Sequence, residues 1–329
     1  MGRYLIRRTL SMIPTLLGIT IIVFVFIELA PGDAAMAILA GRVEEEEIAF
    51  TEEELAKLRR EMGLDRPAPI RYLEWLGNLL RAELGVSLST RRPVADLVSF
   101  RLGPTMELMG AALLLSSVLG LSLGVVSALK RYTAIDHALT VAGMMGISTP
   151  TFYVGLLALF LFSVQIGLFP LGGRVSPGAT GTTARLHHLV LPAFILGLDL
   201  TAALMRYTRS SVLEVLRRDY VTTARSKGLP ARRVILVHAF RNALIPIIVI
   251  LGLRLPILIG GSVVIETVFN WPGMGAFYIG AVRGRDYPII MAVTLFSAVA
   301  VLVASVLVDL LTAVADPRVR LQSRGEAGR

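Results

Sequence analysis

Side chains that could do chemistry are scarce in this 329-residue chain, and those present form no catalytic set. There is no cysteine, which excludes disulfides, thiolate chemistry and Cys-ligated metals. The histidines are His137, His187, His188 and His238. His187 and His188 are adjacent, so they cannot share a helix face as a metal pair would at i, i+4 spacing, and they read as an interfacial polar pair. No zinc-binding H-E-x-x-H occurs. Neither a catalytic residue nor a metal site is expected, and the chain is not expected to be an enzyme. The only lysines are Lys57, Lys130 and Lys227, and none follows a glycine. A phosphate-cradling loop needs Gly-Lys-Ser/Thr so that the lysine reaches the β- and γ-phosphates. The chain is therefore expected to bind no nucleotide; if ATP drives it, the ATPase is another polypeptide.

Asp199 and Arg254 are ionisable residues deep inside apolar runs. Counted from the outer ends of their runs at 1.5 Å per helical residue, both lie ~16 Å deep on consecutive helices. An unpaired charge there costs about 2.5–3.5 kcal/mol on insertion scales. Either they form an intramembrane ion pair, or each is exposed to a hydrated cavity. Glu107, Glu266 and Asp309 fall near the ends of apolar runs, where hydration is cheap, and carry little signal.

The elements that position these residues must be membrane helices. The chain is 54% hydrophobic and 17% charged with mean hydropathy +0.70, whereas soluble domains carry about 25% charged residues. A hydrocarbon core ~30 Å thick takes roughly 20 helical residues to cross, and lipid offers no partner to open backbone groups. Candidate spans are residues 13–30, 105–129, 138–162, 189–205, 244–265 and 289–314. The expected fold class is all-α and polytopic, with six transmembrane helices and both termini cytoplasmic. Arg3, Arg7 and Arg8 precede the first run, Lys130 and Arg131 follow the second, and basic segments follow the fourth and sixth. The net charge of +9 is then positive-inside asymmetry, and no nucleic acid partner is expected. The first run, at 18 residues, exceeds the h-region of a signal peptide and has no small-x-small site after it, so it is expected to be retained.

Residues 31–100 carry thirteen acids against nine bases and are placed outside. There, Thr51-x-x-Glu54 is a capping box for a helix through Met62, stopped by Gly63. Residues 70–84 bring Tyr72, Leu73, Leu76, Leu79, Leu80 and Leu84 near one face of an amphipathic, interfacial helix. In the third span, Gly143, Gly146, Pro150 and Gly155 allow either close helix packing or a Pro-kinked helix lining a pathway.

The longest polar interruption in the second half is residues 219–242, DYVTTARSKGLPARRVILVHAFRN. From Arg206 to Arg241 there are nine Lys/Arg and two acids, which places this loop on the cytoplasmic side. Leu213, Leu216, Tyr220 and Ala224 recur at helical spacing, Gly228 breaks the pattern, and a second helix is expected after Pro230. Thr222, Thr223, Ala224 and Gly228 are small enough for a partner to approach the backbone. The alternative is an amphipathic helix lying on the membrane surface.

Ala224-Arg225-Ser226-Lys227-Gly228-Leu229, followed by Val237-His238-Ala239-Phe240-Arg241-Asn242 and Pro246, resembles the cytoplasmic EAA loop of permeases in binding-protein-dependent ABC importers. The likeness is greatest to the B-type permease of the dipeptide, oligopeptide and nickel group, and it covers nearly the whole chain. Further matching segments are Pro31-Gly32-Asp33, Leu84-Gly85-Val86-Ser87, Tyr207-Thr208-Arg209-Ser210-Ser211, Glu266-Thr267-Val268-Phe269 with Trp271-Pro272-Gly273, and Arg285-Asp286-Tyr287-Pro288. Thr222 and Thr223 depart from the Glu-Ala of the general motif, and Asp199 and Arg254 match no family feature.

The resemblance implies a type I ABC importer permease fold in a bacterial or archaeal cytoplasmic membrane. Residues 1–100 would hold the first helix and an extracytoplasmic segment, 101–315 a five-helix core with the coupling loop at 206–242, and 316–329 a cytoplasmic tail. Asp219, Tyr220, Thr223, Ala224, Lys227, Gly228, Leu229, Arg233, His238, Arg241 and Asn242 would couple to the ATPase. Glu266, Trp271, Pro272 and Gly273 would form an extracytoplasmic motif. Implied partners are a second homologous permease, two ATP-binding subunits carrying ATP and Mg²⁺, and an extracytoplasmic solute-binding protein, all within or at a lipid bilayer. Di- or oligopeptides are the implied substrates, with nickel chelates or oligosaccharides as the alternative. Another class is an ion-coupled secondary transporter using Asp199 as proton relay and Arg254 as anion site.

Overall fold

Each apolar run is helical in the computed structural model, as a backbone facing hydrocarbon must be. The structure describes residues 2–30, 32–46, 51–178, 181–230, 233–235 and 240–315, with side chains for all of these except 2–7, 41–46, 241–243, 245–246, 254–261 and 311–315. Among the described residues there is no strand, only an isolated bridge between Val86 and Pro93. The helices are α1 (Gly2–Leu29), α2 (Ala34–Glu46), α3 (Glu52–Glu61), α4 (Ala68–Leu80), α5 (Val94–Leu129), α6 (Ala134–Ser148), α7 (Thr151–Ala158), α8 (Thr182–Val215), α9 (Asp219–Ser226), α10 (Arg241–Val268), α11 (Met274–Arg283) and α12 (Tyr287–Ala315). A π-helix, Leu159–Gln165, continues α7. The chain divides into two units, Met1–Thr105 with Pro272–Leu302, and Met106–Trp271 with Val303–Arg329.

In the first unit, Asp33 fixes the start of the segment that follows α1. Its Oδ1 accepts the Met36 N–H at 2.9 Å and its Oδ2 the Arg59 Nε–H at 2.6 Å, so one carboxylate caps α2 and holds α3. Ala35, Leu39 and Leu55 close the small core between them. The capping box forms as expected: Glu54 N–H donates to Thr51 Oγ1 and Thr51 N–H to Glu54. That backbone donor, followed by the Thr51 hydroxyl, holds the Glu54 carboxyl below its ordinary range. A lowered folded pKa stabilises above the ordinary glutamate value near 4.3 and is lost only as pH falls through the lowered value. Loss of the Thr51 N-cap in Thr51→Ala should weaken α3 by about 1 kcal/mol, seen as faster amide exchange confined to residues 52–61.

The amphipathic helix expected to reach residue 84 stops at Leu80, and Ala82 follows at φ 62°. No residue of α4 is buried, and Leu73 and Leu80 are 64% and 83% exposed. Much of the predicted apolar face is therefore exposed. Tyr72 docks on α1, its hydroxyl 3.0 Å from Thr20 Oγ1 and its ring edge-on to Phe24, and Arg71 beside it pairs with Glu28 of α1 at 2.5 Å. Elsewhere in this unit three sequence-distant segments meet. Asp286 accepts from Ser87 Oγ at 2.6 Å and from Ser89 N–H and Oγ at 3.1 and 2.8 Å, while Arg285 donates to Gly32 O at 2.6 Å.

The second unit is built around α8, whose most apolar stretch is 72% buried. Small residues set its contacts. A Cβ added at Gly120 would stand 2.6 Å from Leu204 Cβ, and one at Gly124 2.5 Å from Thr208 Cβ and 2.7 Å from Met205 O. Leu108, Ala112, Leu189, Ala193, Ile265 and Trp271 form the main core.

The third expected span is not one helix. The α6 segment ends at Ser148, and α7 with its π-helical continuation leaves at 104°. Proline disfavours the helical conformation in the residue before it, and Thr149 is extended (φ −100°, ψ 129°). The 15 residues of α6 reach only ~22 Å, short of a hydrocarbon core. Among the described residues, α1 from Arg8, α5, α8 and α12 to Leu310 are long and apolar enough to cross a membrane, and the bent α6–α7 pair adds a fifth. With α10, each of the six runs read from the sequence corresponds to a helix or a bent pair.

Candidate functional site

Helix α8 runs on through residues 206–215 but not into residues 219–242. It ends at Val215, the chain turns through residues 216–218, and α9 starts afresh at Asp219. The restart shifts the helical phase. The buried face of the loop is Val221, Ala224 and Val234, packed on Val215, Leu216 and Leu229. Tyr220, expected on the apolar face, is 43% exposed.

Helix α9 is closed by a Schellman motif. Gly228 N–H donates to Arg225 O at 2.9 Å and Leu229 N–H to Ala224 O at 3.4 Å, with Gly228 at φ 75°. Leu229 makes the accompanying apolar contact with the Ala224 side of the helix. This corrects the expected role of Ala224, which is 6% exposed and packs on its own chain. Pro230 O accepts the N–H groups of Arg233 and Val234 at 2.9 and 3.1 Å; most of the second helix expected after Pro230 lies outside the described residues. The outward surface consists of Asp219, Tyr220, Thr222, Thr223, Arg225, Ser226, Lys227 and Gly228, with Arg233 beyond. Nothing lies within 4 Å of a Cβ built on Gly228. His238 lies outside the described residues, as do the side chains of Arg241 and Asn242; Arg241 opens α10.

The loop stands on a fixed base. Ala128, Val212, Val125, Leu213, Val215, Leu216 and Phe240 pack together. Just above, Asp136 of α6, 2% exposed, takes a bidentate hydrogen bond from Arg209 of α8, Nε and Nη2 both at 2.8 Å. Ser127 Oγ of α5 and the Tyr132 N–H donate to the same carboxylate.

Other expected site residues fall as follows. Asp199 is half-buried on α8, and the Arg254 side chain lies outside the described residues, although α8 and α10 pack together. Glu266 and Trp271 are fully buried, with Trp271 N–H donating to Glu266 O at 2.7 Å; Gly273 is buried and Pro272 half-buried. The Glu266 and Trp271 side chains hold core rather than present a surface. Burial of Glu266 also overturns its reading as a hydrated span-end carboxylate. Glu107 is corrected likewise: its Oε2 accepts from Arg174 Nε at 2.9 Å and Arg185 Nη2 at 2.6 Å. His188 hydrogen-bonds Ser176 Oγ at 2.9 Å and the carbonyls of Gly172 and Gly173, while His187 meets Leu168 O at 2.7 Å. Both are polar fasteners of the preceding loop. Gly120-Leu121-Ser122-Leu123-Gly124 has nucleophile-elbow spacing, but it lies inside α5, not at the strand-to-helix turn that such an elbow requires. No cluster of metal-ligating residues occurs among the described residues.

Residues 120–321 match the family model for the binding-protein-dependent transport system inner membrane component, and residues 1–109 match the model for the N-terminal part of such membrane components. The chain is 42% identical over 321 residues to the oligopeptide transport system permease protein AppB of Bacillus subtilis, covering 97% of this chain and 99% of that protein. It is 37% identical over 342 aligned positions to the dipeptide transport system permease protein DppB of Escherichia coli K12, covering 97% and 99%. The glutathione transport system permease protein GsiC of Pectobacterium atrosepticum is 38% identical over 320 residues, again covering 97% and 99%.

Proposed function

Since the chain belongs to the family of binding-protein-dependent transport system inner membrane components, we propose that α9 and the Gly228 turn are the surface through which a separate ATPase drives it. The chain is a multi-pass permease of the cytoplasmic membrane in a peptide ABC importer. The supporting observation is the construction of the loop. Val221, Ala224 and Leu229 seat it on the end of α8, leaving a polar outer face of net positive charge with an open backbone at Gly228. A surface so seated transmits a push to α8 instead of absorbing it.

The rest of the assembly follows from the same reading. Two ATP-binding subunits would hold ATP and Mg²⁺, a second homologous permease would supply the other half of the path, and an extracytoplasmic binding protein would deliver the cargo. Six spans would place both termini with α9 on the cytoplasmic side. Relatives named for oligopeptides, dipeptides and glutathione favour short peptides as cargo.

Reconstitution in sealed vesicles tests this. With both permeases, the ATPases and an external loaded binding protein, labelled di- or tripeptide should accumulate only with ATP and magnesium inside, and an ionophore that collapses ion gradients should leave uptake intact. Uptake driven by a proton gradient without ATPase would overturn the reading and revive Asp199 as a relay.

A further inference from the structure

We propose that the Asp136–Arg209 pair, completed by Ser127 and the Tyr132 backbone N–H, is a positioning clasp that makes the ends of α5, α6 and α8 move as one body with α9. The proposal rests on the reading that α9 receives the motor's movement.

Four observations carry it. First, both carboxylate oxygens are engaged. Oδ1 accepts from Arg209 Nε and Ser127, and Oδ2 from Arg209 Nη2 and Tyr132 N–H. The planar guanidinium fixes orientation as well as distance, which a lysine could not do. Second, the carboxylate is 2% exposed, so solvent does not compete for these bonds as it does at a surface ion pair. Third, the α5–α6 turn is shaped to deliver its donor. Tyr132 is held at φ 64°, a conformation rare for a bulky residue, and its N–H reaches Asp136 at 2.9 Å. Fourth, the clasp sits between the loop and the bent span. Arg209 precedes Val215 and Leu216, the seat of α9, by about two turns, while Asp136 opens the α6 segment that ends at the Thr149–Pro150 break.

Without the clasp, α8 could tilt under α9 while α6 stayed behind, the short turn at residues 130–133 taking up the difference. With it, the bend at Thr149–Pro150 is the first compliant point that a movement of α9 meets along α6 and α7. Asp136 and Arg209 touch neither cargo nor nucleotide on this reading; they act through α9.

The test uses the full importer in vesicles, with Asp136→Asn, Arg209→Gln, the double variant, and Arg209→Lys as the conservative change. Chain level and co-purifying ATPase should stay at wild-type values. Peptide taken up per ATP hydrolysed should fall on the order of tenfold in each single variant, and stimulation of hydrolysis by loaded binding protein should fall with it. The double variant should be no worse than the poorer single one, because both remove the same link. Arg209→Lys should recover part of the coupling. Unchanged uptake per ATP in both single variants, or additive losses in the double, would overturn the clasp. Loss of bound ATPase would do so too, by showing a folding or docking role. Failure of the underlying loop reading has a different signature: ATPase that stays bound and uptake that persists when the α9 turn itself is altered.

Discussion

Gly228→Glu should abolish peptide uptake and release the ATPase, while the chain still inserts in the membrane at normal levels. Two costs combine at this position. Gly228 is at φ 75° in the cap of α9, where any L side chain other than Asn or Asp is strained by ~1–2 kcal/mol. That alone would lower the ratio of ordered to disordered turn by about tenfold. The second cost is the acidic side chain itself, standing in the open space beside Lys227 where a docked subunit would approach. Gly228→Asn separates the two, because asparagine tolerates the left-handed conformation. If a partner packs on this backbone, Gly228→Asn should keep α9 ordered by amide exchange and still lose most of the co-purifying ATPase. Full ATPase retention and uptake in Gly228→Asn would reduce the glycine to a helix cap.

The next largest effect is expected at Gly124. Its missing side chain lets α5 lie against the backbone of α8, and a Cβ there would overlap Thr208 Cβ and the Met205 carbonyl. Neither is the end of a flexible chain, so the helices must separate. Overpacking of this kind costs about 1–3 kcal/mol, and the displacement falls one residue from Arg209 and the clasp. Gly124→Ala should lower the thermal midpoint of the detergent-solubilised chain by several degrees and reduce uptake. Gly110, on the same helix, has nothing within 4 Å of a built Cβ. Gly110→Ala should be neutral or stabilising, by up to about 1 kcal/mol from helix propensity. Equal behaviour of the two variants would contradict the α5–α8 packing described above.

Much of this could be read directly. Runs of apolar residues became helices, Thr51 and Glu54 capped α3, and Gly228 ended α9, since each depends on residues within a turn or two of one another. The sequence pattern does not reveal the change of helical phase between α8 and α9, because residues 216–218 contain neither proline nor glycine to announce the break. The bend at Pro150 was visible as a kink, but not as a turn of 104°. Proline determines where a helix is interrupted; packing on α8 and α10 determines where the chain goes next. The distance of Glu107 and Glu266 from the span ends says nothing of what neighbouring segments bring to them.

From the sequence alone came the class of molecule, the sides of its loops, the absence of a nucleotide-cradling lysine and the position of the loop that a motor could grip. Those follow from hydropathy, charge balance and short-range spacing, which any stretch of chain carries by itself. Tertiary structure decided that Ala224 faces inward, that Asp286 joins Ser87 across 199 residues, and that Asp136 meets Arg209 across 73. An aspartate in the first turn of α6 looks locally like a favourable charge at a helix N-terminus. Only when α5, α6 and α8 pack does the same carboxylate lose its water and find a guanidinium to replace it.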